Sequence, residues 1–121
     1  MAEGQSEALT AEVSYDDFRK VDIRVGTIVE AEPYPEARKP AYKLTVDFGP
    51  AIGTRRTSAQ ITARYKLEEL VGRQVAAVVN FPKKQIGPLM SECLVTGFHD
   101  ANGDVALCVP DRDVPLGTRL L

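Results

Sequence analysis

The stretch from Asn80 to Glu92 carries the side chains of this chain that are best suited to contact a polyanion; its sequence is N-F-P-K-K-Q-I-G-P-L-M-S-E. It follows an apolar run, V-A-A-V-V, of the kind that forms a buried strand. Lysines neutralise phosphates, amides donate hydrogen bonds to them, and an aromatic ring can stack on a base. The segment combines all three types in Asn80, Phe81, Lys83, Lys84 and Gln85, and therefore predicts a nucleic-acid contact in the loop beyond the strand.

The charges of the chain are distributed unevenly, although the net charge is only −2. Residues 1–37 carry a net charge of −6, residues 38–91 of +7 and residues 92–121 of −3. A basic middle segment between acidic flanks gives one face a positive field while the whole protein stays soluble. Arg38-Lys39 and Arg55-Arg56 add donors to those after Asn80. Tyr34 and Tyr42, like Phe81, are rings that could stack on a base or pack in the core or at its rim. The alternative is chance clustering of charges on a solvated surface.

The same loop has an apolar side that favours a different partner. Pro82, Ile86, Pro88, Leu89 and Met90 lie among its polar residues. An apolar loop that its own domain does not cover is a contact surface for another chain, and a methionine adapts to varied peptides. The sequence therefore also predicts a polypeptide-binding surface.

Enzyme chemistry is the third alternative, and its best candidate is a cysteine–histidine pair. A two-residue turn at Asn102-Gly103 would make His99 a diagonal neighbour of Cys108, with Cβ atoms about 7 Å apart. No orienting carboxylate or oxyanion device accompanies the pair, so a packed cysteine and a strand-end histidine are preferred. Two cysteines and one histidine also predict neither a disulfide framework nor a metal site.

The elements that must position these residues are mostly short strands. Val21–Val25 alternates strictly, and Gly26 is predicted to mark a bulge or bend that lets one long strand serve two sides of a barrel. Ser14 is expected to cap a short helix, and residues 62–71 to form a second one that ends at Gly72. The other predicted strands span residues 42–48, 54–61, about 73–79, 91–101 and 104–110.

The Asn102-Gly103 turn also predicts which side chains are buried in the last hairpin. A type I′ turn pairs Ala101 with Asp104 and directs one set of side chains inward: Leu94, Thr96, Phe98, Val105, Leu107 and Val109. The opposite face is then formed by Cys93, Val95, Gly97, His99, Ala106 and Cys108.

These elements predict an all-β fold in the form of a small closed barrel with short helices. The expected architecture is an OB-fold, a five-stranded Greek-key barrel with a helix between strands 3 and 4, an extra N-terminal helix and a C-terminal extension. Residues 1–13 are expected to be a flexible tail and residues 14–121 one domain. The acidic N-terminus does not resemble a signal peptide, and no apolar run could span a membrane, so the expected location is the cytoplasm.

Two motifs resemble the tRNA-binding OB-domain family. Val21–Ile28, V-D-I-R-V-G-T-I, is similar to the family's D-x-R-V-G-x-I opening. Asn80–Gly87, followed by Ser91-Glu92, is similar to its N-L-K-P-x-K-x-x-G…S-x-G-M loop. One extra residue precedes Ser91, and Cys93-Leu94 replaces the usual Gly-Met. These departures and the ending V-P-L-G-T-R-L-L resemble the export-related chaperone branch of the family, and the likeness covers about residues 14 to 121.

The resemblance implies a homodimer of the bacterial or archaeal cytoplasm without catalytic activity, cofactor, metal or membrane insertion. It implies a chaperone that binds unfolded or presecretory polypeptides, associates with the Sec export machinery and can also bind tRNA. The alternative is an accessory module for tRNA alone. The expected tRNA-binding residues are Arg38, Lys39, Lys43, Arg55, Arg56, Gln60, Asn80, Phe81, Lys83, Lys84, Gln85 and Ser91. The expected peptide-binding residues are Phe81, Pro82, Ile86, Leu89 and Met90.

Overall fold

A computed structural model describes residues 7–121 and shows a protein made mostly of strands. Its nine strands are β1 (Ile23–Pro33), β2 (Tyr42–Asp47), β3 (Thr54–Ala59), β4 (Gln74–Val78), β5 (Lys84–Ile86), β6 (Leu89–Ser91), β7 (Leu94–Val95), β8 (Gly97–His99) and β9 (Val105–Leu107). Two short helices accompany them, α1 (Tyr15–Arg19) and α2 (Leu67–Leu70).

Five of the strands form one antiparallel sheet in the order β3-β2-β1-β4-β7. The sheet curls into a nearly closed barrel, and a backbone hydrogen bond of 2.8 Å from Glu92 N to Arg56 O bridges the remaining seam. The predicted fold class, a small OB-like barrel, is confirmed. Helix α2 lies between β3 and β4 as expected, but it spans only four residues instead of the predicted 62–71.

The core fills the barrel with aliphatic side chains and one aromatic ring. Its largest fully buried members are Phe48, Ile28, Leu44, Leu70, Val46, Val75 and Thr57. A second, smaller cluster of Tyr34, Ala41 and Leu89 lies apart from this core, with Ala37 and Ile86 packed against it. The second cluster is the part of the fold that matters for the candidate site.

The long first strand contains the predicted irregularity at a different residue. Strand β1 pairs with β4 through Ile23–Thr27 and with β2 through Thr27–Pro33, so it does serve two sides of the barrel. The register shift lies between Ile28 and Glu30, not at Gly26. Gly26 is there for close packing, because a Cβ atom would come within 2.5 Å of Val46 and 2.8 Å of Phe48.

The predicted register of the last hairpin is wrong by one residue. His99 pairs with Val105 and Gly97 with Leu107, so three residues separate Asp100 from Asp104. The Asp100 carboxylate accepts the backbone N–H groups of Asn102 and Asp104, both at 2.9 Å, and Gly103 has φ +82°. These contacts stabilise a three-residue loop with a glycine in the left-handed region instead of a type I′ turn.

The shifted register changes which side chains are buried. Phe98 is 69 % exposed, and Leu94 and Val109 are also exposed, although all three were predicted to lie inside. Cys93, predicted for the outer face, is buried. His99 shares its face with Val105 and Leu107 and not with Cys108, so the cysteine–histidine neighbours of the enzyme hypothesis do not occur.

Helix α1 and the C-terminal segment meet near the start of β1, where Arg19 Nη1 donates to Leu120 O at 2.7 Å. Ser14 caps α1 by accepting Asp17 N at 3.0 Å, as predicted. The C-terminal segment pairs with the start of β1, since Val25 N donates to Thr118 O at 3.0 Å and Leu120 N to Ile23 O at 2.8 Å. Of the predicted tail, residues 1–6 lie outside the described residues, and residues 7–13 are exposed without regular structure. Within residues 7–121, the helices are all too short or too polar to cross a bilayer.

Candidate functional site

A groove runs between the edge of β3, the loop that joins β1 to β2, and the β5–β6 hairpin. Its first part has a volume of about 630 Å³ and is lined by Ala37, Arg38, Lys39, Ala41, Ser58, Gln60, Gln85, Ile86 and Gly87. Five of these residues were expected from the sequence to bind tRNA or peptide: Arg38, Lys39, Gln60, Gln85 and Ile86. The fold therefore brings together segments that lie almost 50 positions apart in the chain.

The depression continues along the hairpin in two further parts. The second, of about 370 Å³, shares Ser58, Gln60 and Ile86 with the first. The third, of about 350 Å³, shares Lys84, Ser91 and Leu94 with the second and reaches Phe81 and Pro82. We call the three parts together the hairpin groove. It contains polar and basic residues from the predicted tRNA set and apolar residues from the predicted peptide set.

The β5–β6 hairpin forms one wall of the groove, where the sequence predicted a loop held by proline and glycine. Its turn consists of Gly87 and Pro88 between the paired residues Ile86 and Leu89. Gly87 has φ +59°, and proline requires a negative φ, which together fit a type II′ turn. The sequence G-P thus contained a hairpin signal that the prediction did not use.

The buried side chain of Tyr34 forms hydrogen bonds to the turn of this hairpin. Its hydroxyl donates to the carbonyl of Ile86 and accepts the backbone N–H of Leu89 at 3.0 Å. The ring is 3 % exposed, so it serves packing and not the base stacking considered for it from the sequence. Tyr42, the second stacking candidate, is half-buried and donates to Tyr65 O at 2.8 Å. Phe81 is the member of that group with an accessible ring, at 50 % exposure.

The structure divides the predicted peptide-binding residues into two groups. Leu89 is buried in the cluster with Tyr34 and Ala41 and therefore packs within its own domain. Phe81 and Met90 are exposed, and so is Pro82, while Ile86 is half-buried at the wall of the groove. Met90 is on the hairpin but does not line any of the three depressions.

Several predicted tRNA-binding residues also stabilise the barrel seam. The Arg55 guanidinium donates to Val79 O at 2.8 Å and to Glu92 O at 3.3 Å. Backbone N–H of Arg56 donates to Glu92 Oε1 at 2.9 Å, while the Arg56 side chain is exposed. The Ser91 hydroxyl donates to Cys93 O at 3.1 Å and lies 2.8 Å from Thr57 Oγ1. Arg55 and Ser91 are therefore engaged by the fold itself.

Asn80 ties the end of β4 to the segment after α1. Its Oδ1 accepts Asp22 N at 2.9 Å, and its Nδ2 donates to Lys20 O at 2.7 Å. Both polar atoms of the amide thus have backbone partners. This geometry explains an asparagine at this position without reference to a ligand, while its role in tRNA binding remains a prediction.

The basic residues near the groove differ in their pairing. Lys43 Nζ lies 3.5 Å from Glu32 and 5.6 Å from the centre of the Tyr34 ring, and Lys83 Nζ lies 3.6 Å from Glu92. Arg38, Lys39 and Lys84 form no ion pair with any of residues 7–121. These three are also the basic side chains that line the three depressions.

The cysteines and the histidine of the described residues do not form the pair that the enzyme hypothesis needs. Burial raises the pKa of the Cys93 thiol to about 12, which keeps it protonated and unreactive at neutral pH. His99 is exposed, with Nδ1 3.0 Å from the carbonyl oxygen of Gly103. Across residues 7–121, no three His, Cys, Asp or Glu side chains are grouped as metal ligands would be.

Sequence reasoning missed Ser58 and Ala41, which line the groove, and it missed the role of Tyr34 in joining the two walls. Ser58 lies on the edge strand β3, and Ala41 is buried with Tyr34 and Leu89. The alternation of β3 could have indicated Ser58, because Arg56, Ser58 and Gln60 fall on one face of an extended chain. No local pattern indicates Tyr34 or Ala41, since their partners lie some 50 residues away.

Comparison with known proteins identifies relatives over almost the whole chain. The family described as putative tRNA binding domain matches residues 23–119. A chaperone CsaA from Bacillus anthracis has a solved structure that is 45 % identical, with a TM-score of 0.86; the match covers 92 % of this chain and 100 % of the other. The CsaA chaperone protein from Picrophilus torridus is 48 % identical, with a TM-score of 0.84, covering 91 % and 100 %.

A second kind of relative is much longer than this chain. The methionine–tRNA ligase of Methanothrix thermoacetophila is 39 % identical over 118 residues, which is 96 % of this chain but only 17 % of the ligase. The chain thus corresponds to one module of such an enzyme. Because the family matches most of the chain and the CsaA structures align with nearly all of it, the protein belongs to the tRNA-binding domain family and, within that family, resembles the CsaA chaperones.

Proposed function

We propose that this protein is a non-enzymatic chaperone that binds unfolded or presecretory polypeptides in the hairpin groove and supports protein export. The observation that carries the proposal is the groove itself, in which accessible Phe81, Pro82 and Ile86 adjoin unpaired basic side chains. Identity of 45 % and 48 % to CsaA chaperones supports the same role. We also propose that the protein is located in the cytoplasm and that it transfers its clients to the Sec export machinery.

A homodimer is part of the proposed functional form. A barrel of 13.2 kDa that leaves Phe98 and Leu94 69 % and 49 % exposed has apolar surface available for a second copy. Light scattering coupled to gel filtration should give twice the mass of one chain. A mass of one chain at the concentration of the activity assay would contradict this part.

Suppression of client aggregation tests the placement of the peptide site. Phe81→Asp puts a charge on an exposed apolar residue that lines the third depression, at 50 % exposure, and should weaken suppression of the aggregation of a chemically unfolded enzyme. Val71→Asp is the matched control, because Val71 is 55 % exposed at the end of α2 and lines none of the three depressions. Unchanged suppression by Phe81→Asp, with the dimer intact, would show that the site is wrongly placed.

The alternative proposal is a tRNA-binding module without base-specific recognition. It is favoured by the family match over residues 23–119 and by Arg38, Lys39 and Lys84, which line the hairpin groove. The two functions are compatible, because a dimer would carry two copies of the groove and could hold both kinds of ligand. The catalytic activity of the longer ligase relatives is not proposed for this chain, which spans 17 % of their length.

A further inference from the structure

No aspartate or glutamate lines the hairpin groove in the part of the chain that the structure describes. Some cations of the fold have a carboxylate partner, as in Lys43–Glu32 and Lys83–Glu92. Arg38, Lys39 and Lys84, which line the groove, form no ion pair with any of residues 7–121. Charges that the fold leaves unpaired in a concave site favour ligands of the opposite sign.

Apolar residues line the same depressions as these cations. Ala37, Ala41 and Ile86 line the first depression, and Phe81 and Pro82 the third. A ligand that uses the whole groove therefore needs apolar side chains as well as negative charges. A phosphate backbone would use the cations but would leave the aliphatic floor without a partner, whereas a polypeptide with acidic and apolar side chains matches both.

The edge of β3 supplies a third kind of contact. Arg56 N–H points away from β2, since it donates to Glu92 Oε1, and the two-residue period directs Ser58 N–H the same way. Ser58 lines the groove, and its N–H has no hydrogen-bond acceptor within the described range 7–121. A free backbone donor at a strand edge is suited to an extended chain.

We propose that the hairpin groove selects extended polypeptide segments in which acidic side chains flank apolar ones, and that it disfavours segments with basic flanks. This inference rests on the proposed chaperone function and names the class of segment that the same site takes. Signal peptides of presecretory clients begin with a basic region, so the groove should bind other segments of the client polypeptide.

Three fluorescent peptides of equal length test the selection. They share one apolar centre and carry glutamates, lysines or glutamines on both sides. Each paired charge at a solvated site contributes modestly, so the glutamate peptide should bind roughly tenfold more tightly than the lysine peptide at low salt. The triple variant Arg38→Gln/Lys39→Gln/Lys84→Gln should remove this preference and leave the affinity for the glutamine peptide unchanged.

Lys20→Gln/Arg112→Gln is the control for a change of net charge, because both side chains already have an aspartate partner and line none of the three depressions. It should keep most of the preference for the glutamate peptide. Equal or tighter binding of the lysine peptide would overturn the selection, and suppression of client aggregation by the same protein would show that the proposed function survives. A triple variant that loses only tRNA affinity would assign the cations to nucleic acid. Absence of binding by all three peptides, together with no suppression, would reject both proposals.

Discussion

The hydroxyl oxygen of Tyr34 accepts the backbone N–H of Leu89 at 3.0 Å, across 55 positions of the sequence. Tyr34 also closes the loop that forms the opposite wall, since its N–H donates to Ala41 O at 3.2 Å and its carbonyl accepts Ala37 N at 3.2 Å. One buried residue therefore positions both walls of the hairpin groove. The width of the groove depends on a side chain that a ligand would not touch.

Tyr34→Phe should loosen the hairpin while keeping the packing of the ring. The change leaves Leu89 N–H and Ile86 C=O without their hydroxyl partner, at an expected cost of about 1–3 kcal/mol for buried polar groups. Hydrogen exchange at the Leu89 amide should become faster, and the increase should exceed the one that the lower global stability alone would cause. Client binding should weaken as well, because the wall that carries Ile86 is less ordered.

Tyr42→Phe is the matched control for that change. It also removes a tyrosine hydroxyl, whose bond of 2.8 Å to Tyr65 O lies outside the groove. It should lower the free energy of unfolding without selective loss of protection at Leu89. If the two variants had the same effect on Leu89 exchange and on client binding, Tyr34 would have no special role in the groove.

Gly87→Ala should destabilise the protein more than Gly53→Ala. Both glycines have a positive φ, +59° and +81°, which costs an alanine about 1–2 kcal/mol. A Cβ atom at Gly87 would lie 2.7 Å from the Tyr34 hydroxyl, whereas one at Gly53 would meet nothing within 4 Å. Urea unfolding of the two variants isolates the steric contribution, and equal losses of stability would contradict the close contact with Tyr34.

The salt dependence of tRNA binding should change in Lys83→Ala/Lys84→Ala. Each phosphate contact contributes roughly 0.7–0.9 to the slope of log affinity against log salt concentration, so the slope of the double variant should be smaller. Lys84 should account for most of the change, because Lys83 has Glu92 as a partner at 3.6 Å. Titrations of tRNA at several salt concentrations measure the slope, and identical slopes for wild type and double variant would count against this hairpin as the tRNA site.

The ion cluster at the start of β1 should contribute to stability in a pH-dependent way. Arg24 donates to the Asp22 carboxylate through Nε at 2.6 Å and Nη2 at 3.1 Å, and this pairing holds the pKa of Asp22 below its usual value of 3.8. A lowered pKa stabilises the folded state above that value, and the contribution disappears as the pH falls through the lowered pKa. The difference in unfolding free energy between wild type and Asp22→Asn should therefore shrink from about pH 6 to about pH 3.

Asp17→Asn provides the comparison for Asp22. Asp17 pairs with Lys20 at 3.1 Å on the surface, where both side chains are more than half exposed. Such a pair contributes little at any pH, so this variant should follow the wild-type curve. A difference for Asp22→Asn that stays constant over the same pH range would exclude the proposed ionic contribution.

Local patterns in the sequence were sufficient where the contacts themselves are local. The serine cap predicted α1, and the alternation of Val21–Val25 predicted a strand that begins two residues later, at Ile23. Strand spacing with a helix after β3 predicted the barrel. The register of the last hairpin was predicted wrongly because the Asp100 carboxylate accepts N–H groups of its own loop. These hydrogen bonds change the turn type and shift the register by one residue. The bulge in β1 was misplaced because Gly26 is required by the packing of Phe48.

The sequence by itself determined the chemistry available to this protein: a small β-barrel, a basic middle segment and a loop with both lysines and apolar residues. Only the tertiary structure decided which of those side chains are free to act. Arg55 and Asn80 bond to distant backbone atoms, Leu89 is buried under its own domain, and Arg38 lies unpaired across the groove from Gln85. The reason is physical, because pairing and burial depend on neighbours that the chain brings together only when the barrel closes.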